Sequence, residues 1–213
     1  MNTKKLFIFD LDGTLADAYL AIQKSMNYTL KRLGYPEVSL SRVKKRVGKG
    51  DEKFITSFFP EKDQKKAIKI YRAQHKKPLL RYSKPMPYAK TLLYSLKRRG
   101  KMTAIASNRP AYFTNLIIKK TGLGKYIDFI LCADEINSLK PQPKILNIIL
   151  KKFKVKRQDA VYTGDMDIDM ETAKRAKMNA IFITGGSSSL NSVKKYRNKK
   201  VIKSLEEILK LAS

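Results

Sequence analysis

Five short apolar runs are spaced along this 213-residue chain, and segments of helical period lie between them. The runs are Lys4 to Phe9 ("KKLFIF"), Met102 to Ala106 ("MTAIA"), Asp128 to Cys132 ("DFILC"), Ala160 to Thr163 ("AVYT") and Ala180 to Thr184 ("AIFIT"). Runs of this length without polar alternation read as strands buried on both faces. Between them, Tyr88 to Arg99, Ala111 to Lys120, Lys144 to Phe153 and Met170 to Lys177 carry the spacing of amphipathic helices. Buried strands alternating with helices predict a doubly wound α/β fold, with a mostly parallel sheet covered on both sides.

One stretch interrupts this rhythm. Residues 17–82 contain no strand-like run, only helical stripes such as Ile22, Met26, Leu30 and Leu33, and later Ile68 and Tyr71 with Ile70 beside them. Pro36, Gly48, Gly50 and Pro60 punctuate the stretch. The expected organisation is therefore an α/β core made of residues 1–16 and 83–213, with a small helical domain over 17–82 inserted after the first strand. Its two ends should meet near Leu15 and the "KPMP" segment at Lys84 to Pro87.

In an open parallel sheet, ligands bind beyond the carboxyl ends of the strands. Beyond the first run stand Asp10, Asp12, Gly13 and Thr14, and beyond the second stand Ser107, Asn108 and Arg109. Lys140 follows the third after a short connection, and Gly164, Asp165, Asp167 and Asp169 follow the fourth. The acids are conspicuous because the chain holds 46 Lys and Arg against 18 Asp and Glu. Seven of those 18 fall within residues 10–17 and 165–171, so the two segments are expected to meet around a cation.

Clustered carboxylates, a hydroxyl and an ammonium on one sheet edge suit phosphoryl transfer. A carboxylate can attack phosphorus covalently, a hard divalent cation such as Mg²⁺ can offset the acids, and Ser107 and Lys140 can hold the transferring oxygens. Gly13 would let the backbone bend close to the reacting group.

The ordered set "DLDGT", "IASN", "LKPQP" and "GDMDIDMETA" resembles the haloacid dehalogenase superfamily, in its phosphoglycolate-phosphatase-like branch, over residues 6 to about 186. The resemblance implies a Rossmann-like core with a helical cap, and a Mg²⁺-dependent phosphatase acting on a small phosphorylated metabolite. It implies Asp10 as nucleophile and Asp12 as acid and base. It implies Mg²⁺ held by Asp10, the Asp12 carbonyl and Asp165, with Asp169 in support. Ser107, the Asn108 backbone and Lys140 would grip the phosphate, and Asp17 would cap the first helix of the cap. "VGKGDEKF", residues 47 to 54, is similar to the glycine-containing cap loop of this branch, and a plain helix-to-helix turn fits it equally. If it faces the site, Lys49 and Arg109 favour a substrate with negative charge beyond its phosphate. A phosphosugar mutase of the same superfamily would use the same motifs.

Other features read as structural. The net charge of +28 admits nucleic acid as a partner, but the cations are scattered among the helices and form no nucleic-acid motif, so a solvated basic surface is favoured. His75, in "RAQHKKP", is expected to be exposed, Cys132 to be a core residue, and Tyr71 and Tyr82 to be packing groups. Asp167 reads as a solvated or outlying charge, Ser187 to Ser189 as a surface loop, and "GGSSS" as too short and wrongly placed for a phosphate-binding loop. No apolar run approaches the roughly 18 residues of a membrane span, and the N-terminal run is too short for a signal peptide. A lone cysteine makes no internal disulfide, so the expected setting is the cytoplasm, with the oligomeric state open.

Overall fold

A computed structural model describes residues 3–197 and 199–212 of the chain. Strand β1 (Leu6–Phe9) leads into the two-residue β2 (Ala16–Asp17) and then four helices, α1 (Tyr19–Arg32), α2 (Leu40–Lys44), α3 (Asp51–Thr56) and α4 (Glu61–Tyr82). The chain returns through β3 (Lys84–Pro85) and α5 (Ala89–Arg98) to β4 (Met102–Ser107), α6 (Ala111–Thr121) and β5 (Phe129–Cys132). It continues through α7 (Lys144–Phe153), β6 (Ala160–Gly164), α8 (Asp167–Arg175) and β7 (Asn179–Ile183). The last elements are α9 (Leu190–Val193), β8 (Lys199–Ile202) and α10 (Glu206–Ala212).

Six strands pair in parallel in the order β5-β4-β1-β6-β7-β8. The central strand explains the unbroken apolar run at the N-terminus. Phe7 and Phe9 point to one face, against Leu92, Leu93 and Leu96 of α5 and Ile117 of α6. Leu6 and Ile8 point to the other, against Ile145, Leu146 and Ile149 of α7 and Met170 of α8. Both faces are covered, so neither register of the strand tolerates a polar residue. From β1 the chain builds outward to β4 and β5, then crosses back to β6 and builds the other way. Such a reversal opens a crevice at the carboxyl ends of the adjoining strands, here β1, β4 and β6.

The four helices α1–α4 bury a cluster of their own, in which Ile22, Met26 and Leu30 pack with Phe54, Ile55, Phe59 and Tyr71. The two chain crossings into this segment lie side by side. Ala16 pairs with Pro85 and Asp17 with Lys84 in antiparallel register, and the Met86 N–H donates to the Leu15 carbonyl at 2.9 Å. Asp17 accepts from the Tyr19 N–H at 3.2 Å where α1 begins.

Three elements depart from expectation. Strand β8, "KKVI", lies at the sheet edge, where one side of the strand stays wet and Lys200 and Val201 remain exposed, so its apolar signal is weak. Helix α8 starts three residues earlier than its periodicity implies, because the Asp169 carboxylate accepts from the Met166 N–H at 3.1 Å and caps the first turn. His75 is fully buried rather than exposed. Helix α4 runs without a break past Lys76 and Lys77, and its inward stripe is Ala67, Tyr71, His75 and Leu79, a strict four-residue spacing. The lysines beside the histidine lie on the outer face.

Leu92 is fully buried against β1 and β4, so Leu92→Ala should lower unfolding stability by about 2–5 kcal/mol. Lys119→Ala, on the exposed face of α6, should change it by less than about 0.5 kcal/mol. Urea titration of the two variants checks the contrast, and equal midpoints would contradict this packing.

Candidate active site

At the end of β1 the Asp10 N–H donates to the Thr163 carbonyl at 2.8 Å, which extends the pairing with β6 and sets Asp10 above the crevice. The buried ammonium of Lys140 donates to Asp10 Oδ1 at 2.8 Å, to Asp169 Oδ1 at 2.7 Å and to the Tyr162 hydroxyl at 2.9 Å. Tyr162 in turn donates to Asp169 Oδ1 at 2.7 Å. Asn108 fixes the Lys140 backbone from both sides: its Oδ1 accepts from the Lys140 N–H at 2.7 Å and its Nδ2 donates to the Lys140 carbonyl at 3.2 Å. The same Nδ2 reaches the Gly48 carbonyl of the helical segment at 2.8 Å.

Asp165, at the end of β6, is also fully buried. It accepts from Thr14 Oγ1 at 3.1 Å, the Tyr19 hydroxyl at 3.0 Å and the Ser187 N–H at 2.8 Å. These donors can approach because glycines stand beside them. Gly13 has φ +80°, and a Cβ there would collide with the Tyr19 hydroxyl and the Asp165 carboxylate. A Cβ at Gly186 would collide with Asp165 as well.

Carboxylate oxygens of Asp10, Asp165 and Asp169 lie within 4.8 Å of one another. Burial pushes the Asp10 carboxyl well above its usual range, with Lys140 opposing and Asp169 and Asp165 adding to the rise. Burial, then repulsion from Asp169, lifts Asp165 to about 7 against the pull of its three donors. Burial alone would lower the Lys140 ammonium, but Asp10 and Asp169 outweigh it and hold the group above its ordinary value. Three buried acids around one ammonium leave an excess of negative charge, and all their donors are hard oxygens. The set fits a divalent cation of the Mg²⁺ or Ca²⁺ type.

Across the crevice, Asp12 is held in a two-pronged ion pair. Arg109 Nε donates to Asp12 Oδ2 at 2.8 Å and Nη2 to Oδ1 at 3.1 Å. Burial would lower the guanidinium, but Asp12 raises it above its ordinary value. Arg109 Nη1 meets His75 Nε2 at 3.0 Å, and His75 Nδ1 meets Ser25 Oγ at 2.6 Å. Burial, assisted by Arg109, keeps this imidazole well below the usual histidine range. Asp10 and Asp12 border one cavity of about 60 Å³, closed on the helical side by Ile22, Phe54 and Tyr71.

Asp10, Asp12, Ser107, Asn108, Arg109 and Lys140 all line this cavity. Asp165 and Asp169 lie behind it, joined to Asp10 through the carboxylate cluster. Ser107 is buried, and its hydroxyl accepts from the Arg109 N–H at 3.1 Å. Gly48 and Gly50 face the cavity while Lys49 between them is exposed and does not. Asp167 stays outside, where its Oδ1 accepts from the Ile168 N–H at 2.8 Å and the Ser188 hydroxyl at 3.3 Å. Cys132 is buried as expected.

Sequence reading missed five contributors, the first being Tyr162, which bonds both Lys140 and Asp169 from within β6. Tyr71 lines the cavity instead of only packing, and His75 orients Arg109 from behind. Tyr19 and Ser187 hold Asp165 and each other, with their oxygens 2.7 Å apart. The "GGSSS" segment is thus half-buried against the acid cluster rather than a free surface loop. The available signals were the stripe ending at Leu79 and the position of "GGSSS" just beyond β7, on the edge where the other site residues gather.

The family described as haloacid dehalogenase-like hydrolase matches residues 7–183. Among curated relatives, a phosphoglycolate phosphatase of Aquifex aeolicus is 29% identical over 188 residues, 88% of either chain. One of Vibrio parahaemolyticus is 28% identical over 219 residues, covering 98% of this chain and 96% of its own. The crystal structure of a predicted phosphoglycolate phosphatase from Haemophilus somnus superimposes over 100% of both chains with a TM-score of 0.93 at 22% identity, a likeness of fold. With four motifs in order, the strand-end acids gathered and the match spanning β1 to β7, the chain belongs to the haloacid dehalogenase-like hydrolase family.

Proposed function

We propose that the protein is a Mg²⁺-dependent phosphatase that hydrolyses a small phosphomonoester through an aspartyl-phosphate on Asp10. The observation that carries this reading is the state of Asp10 itself. Its Oδ1 is fixed by Lys140, while Oδ2 carries no hydrogen bond among the described residues and stands at the cavity wall. One oxygen oriented and one unengaged is the arrangement that a carboxylate nucleophile needs.

In this scheme Asp10 Oδ2 bonds to phosphorus as the bond to the leaving oxygen breaks, and Asp12 gives that oxygen its proton. Asp12 then takes a proton from the water that attacks phosphorus and returns the Asp10 carboxylate. The Ser107 hydroxyl and the positive charge of Lys140, whose three N–H groups go to Asp10, Asp169 and Tyr162, would stabilise the phosphoryl oxygens where charge builds up. Asp10, the Asp12 carbonyl and Asp165 would hold Mg²⁺, with Asp169 behind them. When bound, the ion neutralises the acids and draws electron density from the phosphoryl group. The segment of α1–α4 serves as the cap, and its apolar wall excludes water during the reaction.

The cavity, about 60 Å³, is several times the roughly 10–15 Å³ that one water needs. A site of this size favours a small phosphomonoester. Phosphoglycolate is one, and it agrees with the names of the relatives. Its carboxylate would meet Arg109 in the cavity wall rather than the exposed Lys49.

Asp10→Asn should lower kcat for phosphoglycolate by at least about 10⁴ and remove the acid-trapped phosphoprotein, as measured by steady-state assay and mass spectrometry. Retained turnover, with deamidation excluded, would overturn the nucleophile assignment.

Asp165 also sets a dependence on pH. In the metal-free protein its carboxyl sits at about 7, against about 3.9 in an unfolded chain. The folded state therefore binds the extra proton between those values, and the stability this contributes is lost as pH rises through about 7. A cation requires the deprotonated form, so its affinity should grow through the same window. Thermal melts at pH 5.5, 7 and 8.5 should show the gain in Tm from Mg²⁺ widening with pH. A gain that is constant across the series would contradict this account of Asp165.

A further inference from the structure

We propose that the Asp12–Arg109 ion pair is a latch: it engages Asp12 in the unliganded protein, and a second anionic group on the substrate opens it by taking Arg109 in its place. The inference rests on the phosphatase reading and narrows it to the phosphomonoesters that turn over fast.

Three observations lead here. Both Asp12 oxygens accept from the guanidinium, at 2.8 and 3.1 Å, so the carboxylate is turned toward Arg109 and held there on both oxygens. Arg109 is itself held from behind, because Nη1 reaches His75 Nε2 at 3.0 Å. For that nitrogen to accept, the ring proton must sit on Nδ1, where Ser25 Oγ lies at 2.6 Å to receive it. The helical segment thereby sets the guanidinium, and His75 is a positioning residue that acts through Arg109. Finally, Arg109 borders the cavity with Asp12, so an anion placed beside the phosphate meets the same guanidinium.

The energetics favour exchange over simple release. Pulling Asp12 from Arg109 with nothing in return would strand a nearly buried charge, which is costly. Replacing one carboxylate by another keeps the guanidinium, the more buried partner, bidentate and leaves only Asp12, whose side chain is 18% exposed, to find water or the leaving oxygen. A neutral substituent offers no such exchange. The substrate's second anion then contributes to kcat, by releasing Asp12 for proton transfer, and not only to binding.

The test separates the two halves of the substrate. Methyl phosphate supplies the ester without a second anion, and formate supplies the anion alone. Formate should raise kcat for methyl phosphate about fivefold or more in the unmodified protein. Arg109→Gln should hydrolyse methyl phosphate at or above the formate-stimulated rate and ignore formate. His75→Leu should behave like Arg109→Gln, while His75→Gln, which keeps an acceptor near the Nε2 position, should retain the formate response.

Inhibition by formate, a change in KM alone, or an Arg109→Gln variant slower than the parent on methyl phosphate would each overturn the latch. The Arg109 Nε–H resonance, assigned by its loss in Arg109→Gln, reports the exchange without turnover and should shift with formate. A shift without hydrolysis of any phosphomonoester would refute the phosphatase reading and leave the latch standing. Hydrolysis with neither a shift nor an acceleration would refute the latch and leave the phosphatase reading standing.

Discussion

The buried ammonium of Lys140, seated between Asp10 and Asp169, is the interaction on which the rest of the site depends. Each of these carboxylates stands at the end of an element packed into the sheet, Asp10 after β1 and Asp169 in the first turn of α8. Without a cation between them, burying both would be prohibitive. With it, the chain ends of β1 and β6 are drawn together at the reversal of strand order, and the Lys140 loop is tied to β4 through Asn108. The arrangement serves function more than stability, since a buried ion pair offsets its own desolvation at best. Asp165 sharpens the point: it lies in the same cluster, receives only neutral donors, and is the acid whose charge most lacks an opposite. The large apolar cores on both sheet faces tolerate this local instability.

The helical segment is joined to this centre by more than its hinge. Tyr19, the first residue of α1, reaches Asp165, and the Gly48 carbonyl receives Asn108, so two bonds tie the segment to residues of the sheet edge. His75 adds a third tie through Arg109. A movement of α1 to α4 would disturb the donors around Asp165 and the orientation of Arg109 together. The antiparallel crossings at β2 and β3 bring both chain connections into the segment at one place.

What could be read from the residues and what could not divide along physical lines. The central strands were plain because burial on both faces demands continuous apolar runs, and the acids beyond them stood out against a basic chain. Strand β8 was obscure because its edge position relaxes that demand, leaving "KKVI" with a surface composition. The true start of α8 was hidden because Asp169 both caps the helix and joins the Lys140 cluster, a double use that periodicity does not register. The burial of His75 was masked by its lysine neighbours, although the stripe from Ala67 to Leu79 carries the signal when α4 is taken as one helix. Lys49 shows the converse: the glycines on either side face the cavity, but a loop that turns at each residue sends the lysine outward. Motif spacing places backbones at a site, and the directions of side chains follow only from packing.

The net charge of +28 bears on the same centre from a distance. Charges on the surface act over roughly 8 Å at physiological ionic strength, so the scattered lysines attract phosphorylated anions in general and select none. Selection requires groups that are dry, oriented and few, which describes Lys140 and Arg109 and not the exposed cations. The acids around them would repel an arriving phosphate if the surrounding surface were also acidic. The basic exterior thus surrounds an acidic interior in which Lys140 and Arg109, both buried, are each paired with an aspartate.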